Sequence, residues 1–182
     1  MSYKIMVREE IKIIGIEIKT TNKDGLAAKD IADLFEKFLK EGKLKHIPHK
    51  VDVHTFMGIY TNYEEGEKYK KGEADVSQSG LYSYILGAEV STIQTVPPGM
   101  VGKIIPASSY AVFTAKGDLP NSVVDTWKAI WKMSKDELNR SYASDFEIYN
   151  SAIINDKKEV DVCVSIKERE SGLKSLDVTY TT

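Results

Sequence analysis

Cysteine is nearly absent from this sequence of 182 residues, since Cys163 is the only one. No intrachain disulfide can therefore form, and the start Met-Ser-Tyr-Lys lacks the apolar core of a signal peptide. No apolar run approaches the roughly 20 residues that a helix needs to span a bilayer. These absences predict a cytoplasmic protein with no membrane role. We expect Cys163 to be an inert packing residue, because a catalytic thiol needs a nearby histidine and the histidines cluster elsewhere in the sequence.

An excess of positive charge is also missing. The 25 Lys and Arg residues nearly balance the 27 Asp and Glu residues, so no overall positive field would gather nucleic acid. We therefore expect no direct binding of nucleic acid. The lysines near residue 70 alternate with glutamates, which is typical of a solvated loop and not of a phosphate-binding patch. These charged residues are Lys68, Lys70, Lys71, Glu64, Glu65, Glu67 and Glu73.

Histidine is scarce too, and its three residues, His46, His49 and His54, fall within nine positions. A shared metal site is nevertheless not expected. Pro48 separates the first two, and His54 falls in a predicted strand while the others lie in a loop. The sequence thus predicts neither a metal site nor a cofactor.

The first half of the chain has the pattern strand, strand, helix, strand, strand. Hydrophobic residues make up 42% and charged residues 29%, as is usual for a folded globular protein. The predicted strands are 3–7, 11–19, 53–61 and 81–90, and the predicted helix runs from about 25 to 41 and ends at Gly42. Apolar residues recur along this helix at three and four positions, namely Ala28, Ile31, Leu34, Phe35, Phe38 and Leu39.

The second half repeats this order. The predicted strands are 100–105, 109–116, 145–150 and 159–167, with a helix that opens at Pro120. The apolar stripe of this helix consists of Val123, Val124, Trp127, Ile130 and Trp131. We therefore predict a single domain over 1–182, built from one half at about 1–92 and another at about 98–170, followed by a polar tail at 171–182.

A carboxylate lies inside one of these predicted strands, at Glu147. If Phe146 and Ile148 face a core, then Asp145, Glu147 and Tyr149 line the opposite face, because strand side chains alternate. An acid flanked by aromatic rings is well suited to bind a flat, positively charged ligand. The alternative is that Glu147 simply faces water on a half-solvated sheet.

The internal repeat is most visible around this acid. Gly58-Ile-Tyr60 in the first half takes the position of Glu147-Ile-Tyr149 in the second. If the two halves pack around a pseudo-twofold axis, their middle forms a groove, and a glycine that faces an acid across it would leave room for a ligand.

Arg140 precedes this strand and is expected to form an ion pair with Asp145 or with Asp161 on the adjacent strand. Either pair would be structural and would hold the strand that carries Glu147. An exposed pair of this kind contributes only about 0 to 1 kcal/mol.

Several segments, in this order and spacing, resemble the GyrI-like small-molecule-binding domain, also called the AraC-type effector-binding domain. In the second half they are 109–117 (Ser-Tyr-Ala-Val-Phe-Thr-Ala-Lys-Gly), 127–131 (Trp-Lys-Ala-Ile-Trp) and 145–149 (Asp-Phe-Glu-Ile-Tyr). In the first half, 58–63 (Gly-Ile-Tyr-Thr-Asn-Tyr), 82–90 (Tyr-Ser-Tyr-Ile-Leu-Gly-Ala-Glu-Val) and 96–99 (Val-Pro-Pro-Gly) resemble the stand-alone branch known as integron-associated effector-binding proteins. The resemblance covers nearly the whole chain.

The resemblance implies an α+β fold made of a duplicated β-α-β-β unit. Its two SHS2-like halves would share an antiparallel sheet and two main helices, and would frame a central groove for hydrophobic, often cationic, small molecules. The family's groove glutamate corresponds to Glu147, which would meet the positive charge of the ligand. The other residues that the resemblance and the repeat make candidates for ligand contact are Tyr60, Tyr84, Tyr149, Trp127, Trp131 and Gly58.

The resemblance also leaves the output of ligand binding open. Family domains are often fused to a DNA-binding segment, whereas here the predicted strands begin by Tyr3 and end near Lys167. Transcriptional regulation or drug sensing would then require a partner, such as a DNA-binding protein, and the oligomeric state is not predicted. A protein that inhibits or senses another protein is a third class, and no residue in the sequence supports it directly.

Some GyrI-like relatives are similar to hydrolases that open strained rings, which provides an enzymatic alternative. A desolvated Glu147 could act as a general acid or base on a strained or activated ligand. Tyr149, Tyr84 or Tyr142 would be its polar neighbour in that case. The same acid is also what a cation receptor needs, so Glu147 alone does not separate the two classes. We favour binding over catalysis because binding is the more frequent role in the family that the chain resembles.

Overall fold

The computed structural model describes residues 1–64, 80–150 and 159–167. Most of the charged loop near residue 70 and the whole polar tail at 171–182 lie outside the described residues. Within the described ranges, no helix is long and apolar enough to cross a membrane.

The described residues of the first half form four strands and one long helix, as the hydrophobic patterns predict. Strands β1 (Lys4–Arg8) and β2 (Ile11–Thr21) are followed by a short 3-10 turn (Lys23–Gly25), helix α1 (Leu26–Lys40), a short helix α2 (Lys43–His46), and strands β3 (Thr55–Thr61) and β4 (Leu81–Glu89). Gly42 follows α1 with a φ of 59°, a left-handed conformation that glycine adopts readily at the end of a helix. Helix α2 was not predicted, because four residues are too few to show a period.

The second half consists of strands β5 (Val101–Ile105) and β6 (Ser108–Lys116), helix α3 (Asn121–Trp131), and strands β7 (Ser144–Asn150) and β8 (Glu159–Ile166). Pro120 caps the start of α3, one residue before the helix begins. The eight strands and two main helices therefore follow the predicted order, although His54 precedes β3 and does not lie inside it.

In the described part of the chain, eight strands form one antiparallel sheet in the order β1-β6-β8-β7-β3-β4-β2-β5. Exchanging each strand for its counterpart in the other half (β1 for β5, β2 for β6, and so on) gives the same order read backwards. The sheet therefore has a pseudo-twofold axis between β3 and β7. The first strand of each half pairs with a strand of the other half, since β1 pairs with β6 and β5 pairs with β2.

Both faces of the sheet are buried. On one face the two main helices pack against the larger core cluster, with Leu34 and Phe38 from α1 and Trp127 and Ile130 from α3. The other face carries a second cluster whose members come from strands alone. An Arg8–Glu89 ion pair at 2.8 Å joins β1 to β4 across this face, although β6, β8, β7 and β3 lie between them in the sheet. The sheet is therefore curled, and it encloses the second cluster by itself.

Candidate functional site

A cavity of about 600 Å³ opens on the helix-bearing side of the sheet. Three tyrosines line one side of it, Tyr60 of β3, Tyr82 of β4 and Tyr63 just after β3, and Trp127 and Trp131 of α3 line another side. The rings contact one another, with centroid distances of 5.1 Å between Tyr60 and Trp127 and 5.7 Å between Tyr60 and Tyr82. The cavity is thus bounded on two sides by a continuous aromatic surface.

Apolar residues of the helices complete the lining. Val124 and Trp131 belong to the predicted apolar stripe of α3, and they are 43% and 39% exposed and line the cavity. Ala28 of α1 is likewise exposed at the cavity, whereas Leu39 is exposed outside it. The apolar stripes are wider than the core contact because part of each stripe faces the cavity.

Glu147 lies directly behind this aromatic wall and is only 2% exposed. Its Oε1 accepts hydrogen bonds from the Tyr60 hydroxyl at 2.8 Å and from the Trp127 indole Nε1 at 2.7 Å. Its Oε2 accepts from the Tyr149 hydroxyl at 2.8 Å and the Tyr84 hydroxyl at 3.3 Å. The alternative in which Glu147 faces water is therefore wrong, because the helices cover that face of the sheet.

The four donors divide into two pairs. Tyr60 and Trp127, which hold Oε1, line the cavity. Tyr84 and Tyr149, which hold Oε2, are buried behind it, and the Tyr149 ring stacks on Phe56 at 5.1 Å. Oε1 is therefore the oxygen on the cavity side, separated from the cavity by two ring-bearing side chains.

The electrostatics of this cluster follow from its burial. Burial raises the pKa of the Glu147 carboxyl above its ordinary value, while the hydrogen bonds from Trp127 and the three tyrosines act to lower it. Burial, followed by the nearby Glu147 charge, raises the pKa of Tyr60 and Tyr84 well above the ordinary value. The tyrosines are therefore neutral donors, and the hydrogen-bond partners of Glu147 bring no positive charge.

A second buried acid, Asp145, lies two residues away on the same strand face and is satisfied differently. Arg140 Nη2 donates to its Oδ2 at 2.6 Å, and the Tyr63 hydroxyl donates to the same oxygen at 2.8 Å. The backbone N–H and the hydroxyl of Ser165 donate to Oδ1. A cation thus neutralises Asp145, whereas Glu147 has neutral donors alone.

This geometry decides between the two expected partners of Arg140. The pair forms with Asp145, while Asp161 accepts from the Thr114 hydroxyl at 2.7 Å. The side chains of Arg140 and Asp145 are 8% and 0% exposed. The small contribution to stability that is expected of an exposed ion pair therefore does not apply to this buried pair. Arg140 also lines the cavity, and its guanidinium carbon lies 4.4 Å from the centroid of the Tyr142 ring and 5.9 Å from that of the Trp127 ring.

Gly58 pairs directly with Glu147 across β3 and β7. An added Cβ would overlap the Tyr84 hydroxyl and would lie 3.0 Å from Glu147 Oε2. The space over Gly58 is thus filled by the tyrosine that donates to Glu147. Of the seven residues proposed for ligand contact, Tyr60, Trp127 and Trp131 line the cavity, while Glu147, Tyr84, Tyr149 and Gly58 form the layer behind it.

Sequence reasoning missed several lining residues. Tyr82 could have been found, because it lies on the same face of β4 as Tyr84 by strand alternation. Tyr63 and Arg140 could not, since both lie outside the strands and reach the cavity through the chain path. Asp24, from the 3-10 turn before α1, and Asn22, immediately before that turn, also line the cavity.

The residues named for catalysis do not face the cavity directly. Tyr149 donates to Oε2, on the far side of Glu147, and Tyr142 lies against Arg140. Transfer of a proton between Glu147 and a ligand in the cavity would require Tyr60 or Trp127 to move. Within the described residues, no group of three or more His, Cys, Asp or Glu side chains is placed to hold a metal ion.

Sequence comparison identifies a family. Residues 4–167 match the family model of integron-associated effector binding proteins. The chain is also similar to YobU of Bacillus subtilis (strain 168), named as a candidate transcriptional regulator, with 32% identity over 117 residues. This match covers 63% of the chain and 65% of YobU, so the chain spans less than two thirds of that relative.

Solved structures agree with the α+β fold predicted for the chain. SAV2435 bound to tetraphenylphosphonium superposes with a TM-score of 0.71 at 17% identity, over 92% of this chain and 94% of that one. An integron cassette protein from the mobile metagenome of Vibrio cholerae superposes with a TM-score of 0.64 at 25% identity, over 92% and 97%. The predicted α+β architecture is thus confirmed.

Proposed function

This chain belongs to the family of integron-associated effector-binding proteins, and we propose that it binds hydrophobic, cationic, aromatic small molecules in its cavity. Family membership supports small-molecule binding in general. The observation that carries the finer proposal is the state of Glu147, a buried carboxylate with four neutral donors directly behind an aromatic wall. No cation among its hydrogen-bond partners neutralises the charge of Glu147, whereas Arg140 neutralises that of Asp145.

The size of the expected attraction can be estimated from this arrangement. A cation resting on the rings of Tyr60 and Trp127 would lie about 7 Å from the carboxylate, which gives about 2 kcal/mol at an effective dielectric constant of about 20. This corresponds to about 30-fold in Kd. Contact with the ring faces would add to it, since aromatic faces attract cations.

The cavity also has a suitable size and surface. A volume of about 600 Å³ is in the range that accommodates drug-sized molecules, and its walls are largely aromatic and apolar. The solved structure of SAV2435 with tetraphenylphosphonium supports the choice of an aromatic phosphonium as the first probe.

A charge-matched pair of probes tests the proposal. Methyltriphenylphosphonium and triphenylphosphine oxide have nearly the same size and shape, but only the first is a cation. Glu147→Gln should weaken binding of the cation about 30-fold and change binding of the oxide by less than about threefold, as measured by isothermal titration calorimetry.

Glu89→Gln serves as the matched control, because Glu89 is paired with Arg8 on the opposite face of the sheet. It should leave both affinities unchanged. Equal losses of cation and oxide in Glu147→Gln would refute the electrostatic role. Mass spectrometry of the recovered ligand separates binding from hydrolysis, since a product that forms with the wild type and disappears in Glu147→Gln would favour the hydrolase.

We further propose that any regulatory output of this chain passes through a partner protein. The name of the B. subtilis relative supports a role in transcription, and the near balance of charge argues against direct nucleic-acid binding by this chain. Co-purification of a DNA-binding protein that depends on methyltriphenylphosphonium would support this proposal.

A further inference from the structure

The hydrogen-bonding capacity of Glu147 is filled. A carboxylate offers about four acceptor positions on its two oxygens. Four donors occupy them, two on each oxygen, at distances from 2.7 to 3.3 Å. A ligand can therefore interact electrostatically with Glu147, but the acceptor positions of this carboxylate are already occupied by the four donors.

The two donors on the cavity side control access to the carboxylate. Tyr60 and Trp127 both line the cavity and both donate to Oε1. A protonated amine in the cavity carries N–H groups that need acceptors. To reach Oε1, it would have to displace one of these donors, which would leave a buried polar group without a partner.

A cation without N–H groups avoids this conflict. A quaternary ammonium or phosphonium ion requires no acceptor, and it interacts with the ring faces and with the charge behind them. The intact hydrogen bonds of Tyr60 and Trp127 then hold the aromatic wall in place under the bound cation.

From this geometry we propose that the cavity selects cations that carry no hydrogen-bond donor over protonated amines, and that Tyr60 is a residue that sets this selectivity. The proposal rests on the proposed binding of cations next to Glu147. It assigns the ligand class more narrowly, as quaternary ammonium and phosphonium ions with aromatic substituents.

Another acid at the cavity has to be considered. Asp24 lines the cavity and is exposed, so its carboxylate could accept an N–H from an amine. Because water also reaches Asp24, such a contact would replace one with solvent and contribute little. Asp24→Asn is therefore included in the test.

A pair of probes that differ by one methyl group measures the selectivity. The probes are 4-phenylbenzyl-trimethylammonium and protonated 4-phenylbenzyl-dimethylamine at neutral pH. The additional methyl group accounts for about fourfold by its burial alone. Apart from Asp24, the acceptors among the lining side chains are neutral, namely the Asn22 amide and the tyrosine hydroxyl oxygens. A hydrogen bond to a neutral acceptor is about 1 kcal/mol weaker than one to a carboxylate, which adds about fivefold, so the wild type should prefer the quaternary ion by about 20-fold.

Two matched substitutions locate the origin of the preference. Tyr60→Leu removes a donor from Oε1 and opens that oxygen to the cavity, so the preference should fall to about fourfold or less. Tyr82→Leu removes a neighbouring ring of the same size, whose hydroxyl donates to Asn22 and not to Glu147. It should weaken both probes by similar factors and keep the 20-fold ratio.

The outcomes are distinct. If neither probe binds the wild type, the proposed function fails and this inference falls with it. If both probes bind the wild type and their Kd values differ by about fourfold or less, the proposed cation binding is supported and the proposed selectivity is overturned. A ratio that changes in Asp24→Asn would place the amine at Asp24 and also overturn it. If circular dichroism shows that Tyr60→Leu does not fold, Tyr60→Phe replaces it, and a ratio unchanged from wild type in that variant would overturn the role of Tyr60.

Discussion

The buried Arg140–Asp145 pair makes a strong prediction about stability. Replacing Arg140 by Met keeps much of the length and apolar volume of the side chain but removes its charge. Asp145 would then remain fully buried with its three neutral donors, the Tyr63 hydroxyl and the two groups of Ser165. Breaking a buried pair by removing one partner costs about 3–5 kcal/mol, because it leaves an uncompensated charge.

The structure favours the lower end of this range of stability costs for Arg140→Met. The three remaining donors keep both oxygens of Asp145 bonded. In addition, Arg140 Nε is buried with no hydrogen-bond partner in the described part of the chain, so the wild type already carries a desolvation cost that Met removes. We therefore expect Arg140→Met to lower the free energy of unfolding by about 3 kcal/mol.

Urea denaturation followed by far-ultraviolet circular dichroism measures this loss. The control is Arg8→Met, which breaks the Arg8–Glu89 pair, whose side chains are 25% and 29% exposed. Because this pair is partly solvated, its loss should cost about 1 kcal/mol or less. The double variant Arg140→Met/Asp145→Asn should recover about 2 kcal/mol of the loss, since no unpaired charge remains. If Arg140→Met costs no more than Arg8→Met, then the buried Asp145 carboxylate does not depend on its guanidinium partner.

Two further predictions concern the Glu147 cluster. Burial raises the pKa of Glu147, so the affinity for methyltriphenylphosphonium should rise as the pH increases through that raised pKa. Calorimetry across pH should show this rise in the wild type but not in Glu147→Gln. The contribution of Glu147 to stability has the opposite sign, because it is greatest below the ordinary pKa and is lost as the pH rises through the pKa of the folded state. Gly58→Ala should lower the free energy of unfolding by about 1–3 kcal/mol in urea denaturation, because its Cβ would overlap the Tyr84 hydroxyl, and a neutral effect would show that the cluster can rearrange.

The order of strands and helices could be predicted from the sequence because it depends on local periodicity. Alternating valines and isoleucines indicate strands whatever their neighbours are, and the three- and four-residue spacing of Leu34 and Phe38 indicates α1. The exchange of β1 and β5 between the halves could not be predicted in this way, since it depends on pairing between residues about a hundred positions apart, such as Lys4 with Val112.

The candidate site was predicted in part for the same reason. Alternation placed Glu147 and Tyr149 on one face of β7, but it could not show that the helices cover this face. Tyr60 and Tyr84 likewise share the cluster, yet only Tyr60 lines the cavity. The difference depends on where α1 and α3 cross the sheet, which local sequence does not encode.

The position of Glu147 on the pseudo-twofold axis explains why one acid is present and not two. The repeat relates Gly58 to Glu147, and these same two residues are paired across β3 and β7, so the axis passes between them. The repeat also relates Tyr60 to Tyr149, and these two tyrosines donate to the two different oxygens of the one carboxylate. A glutamate at position 58 as well would place two buried carboxylates side by side, which could not both ionise at neutral pH. The glycine breaks the symmetry, so both halves of the fold supply donors to a single buried charge.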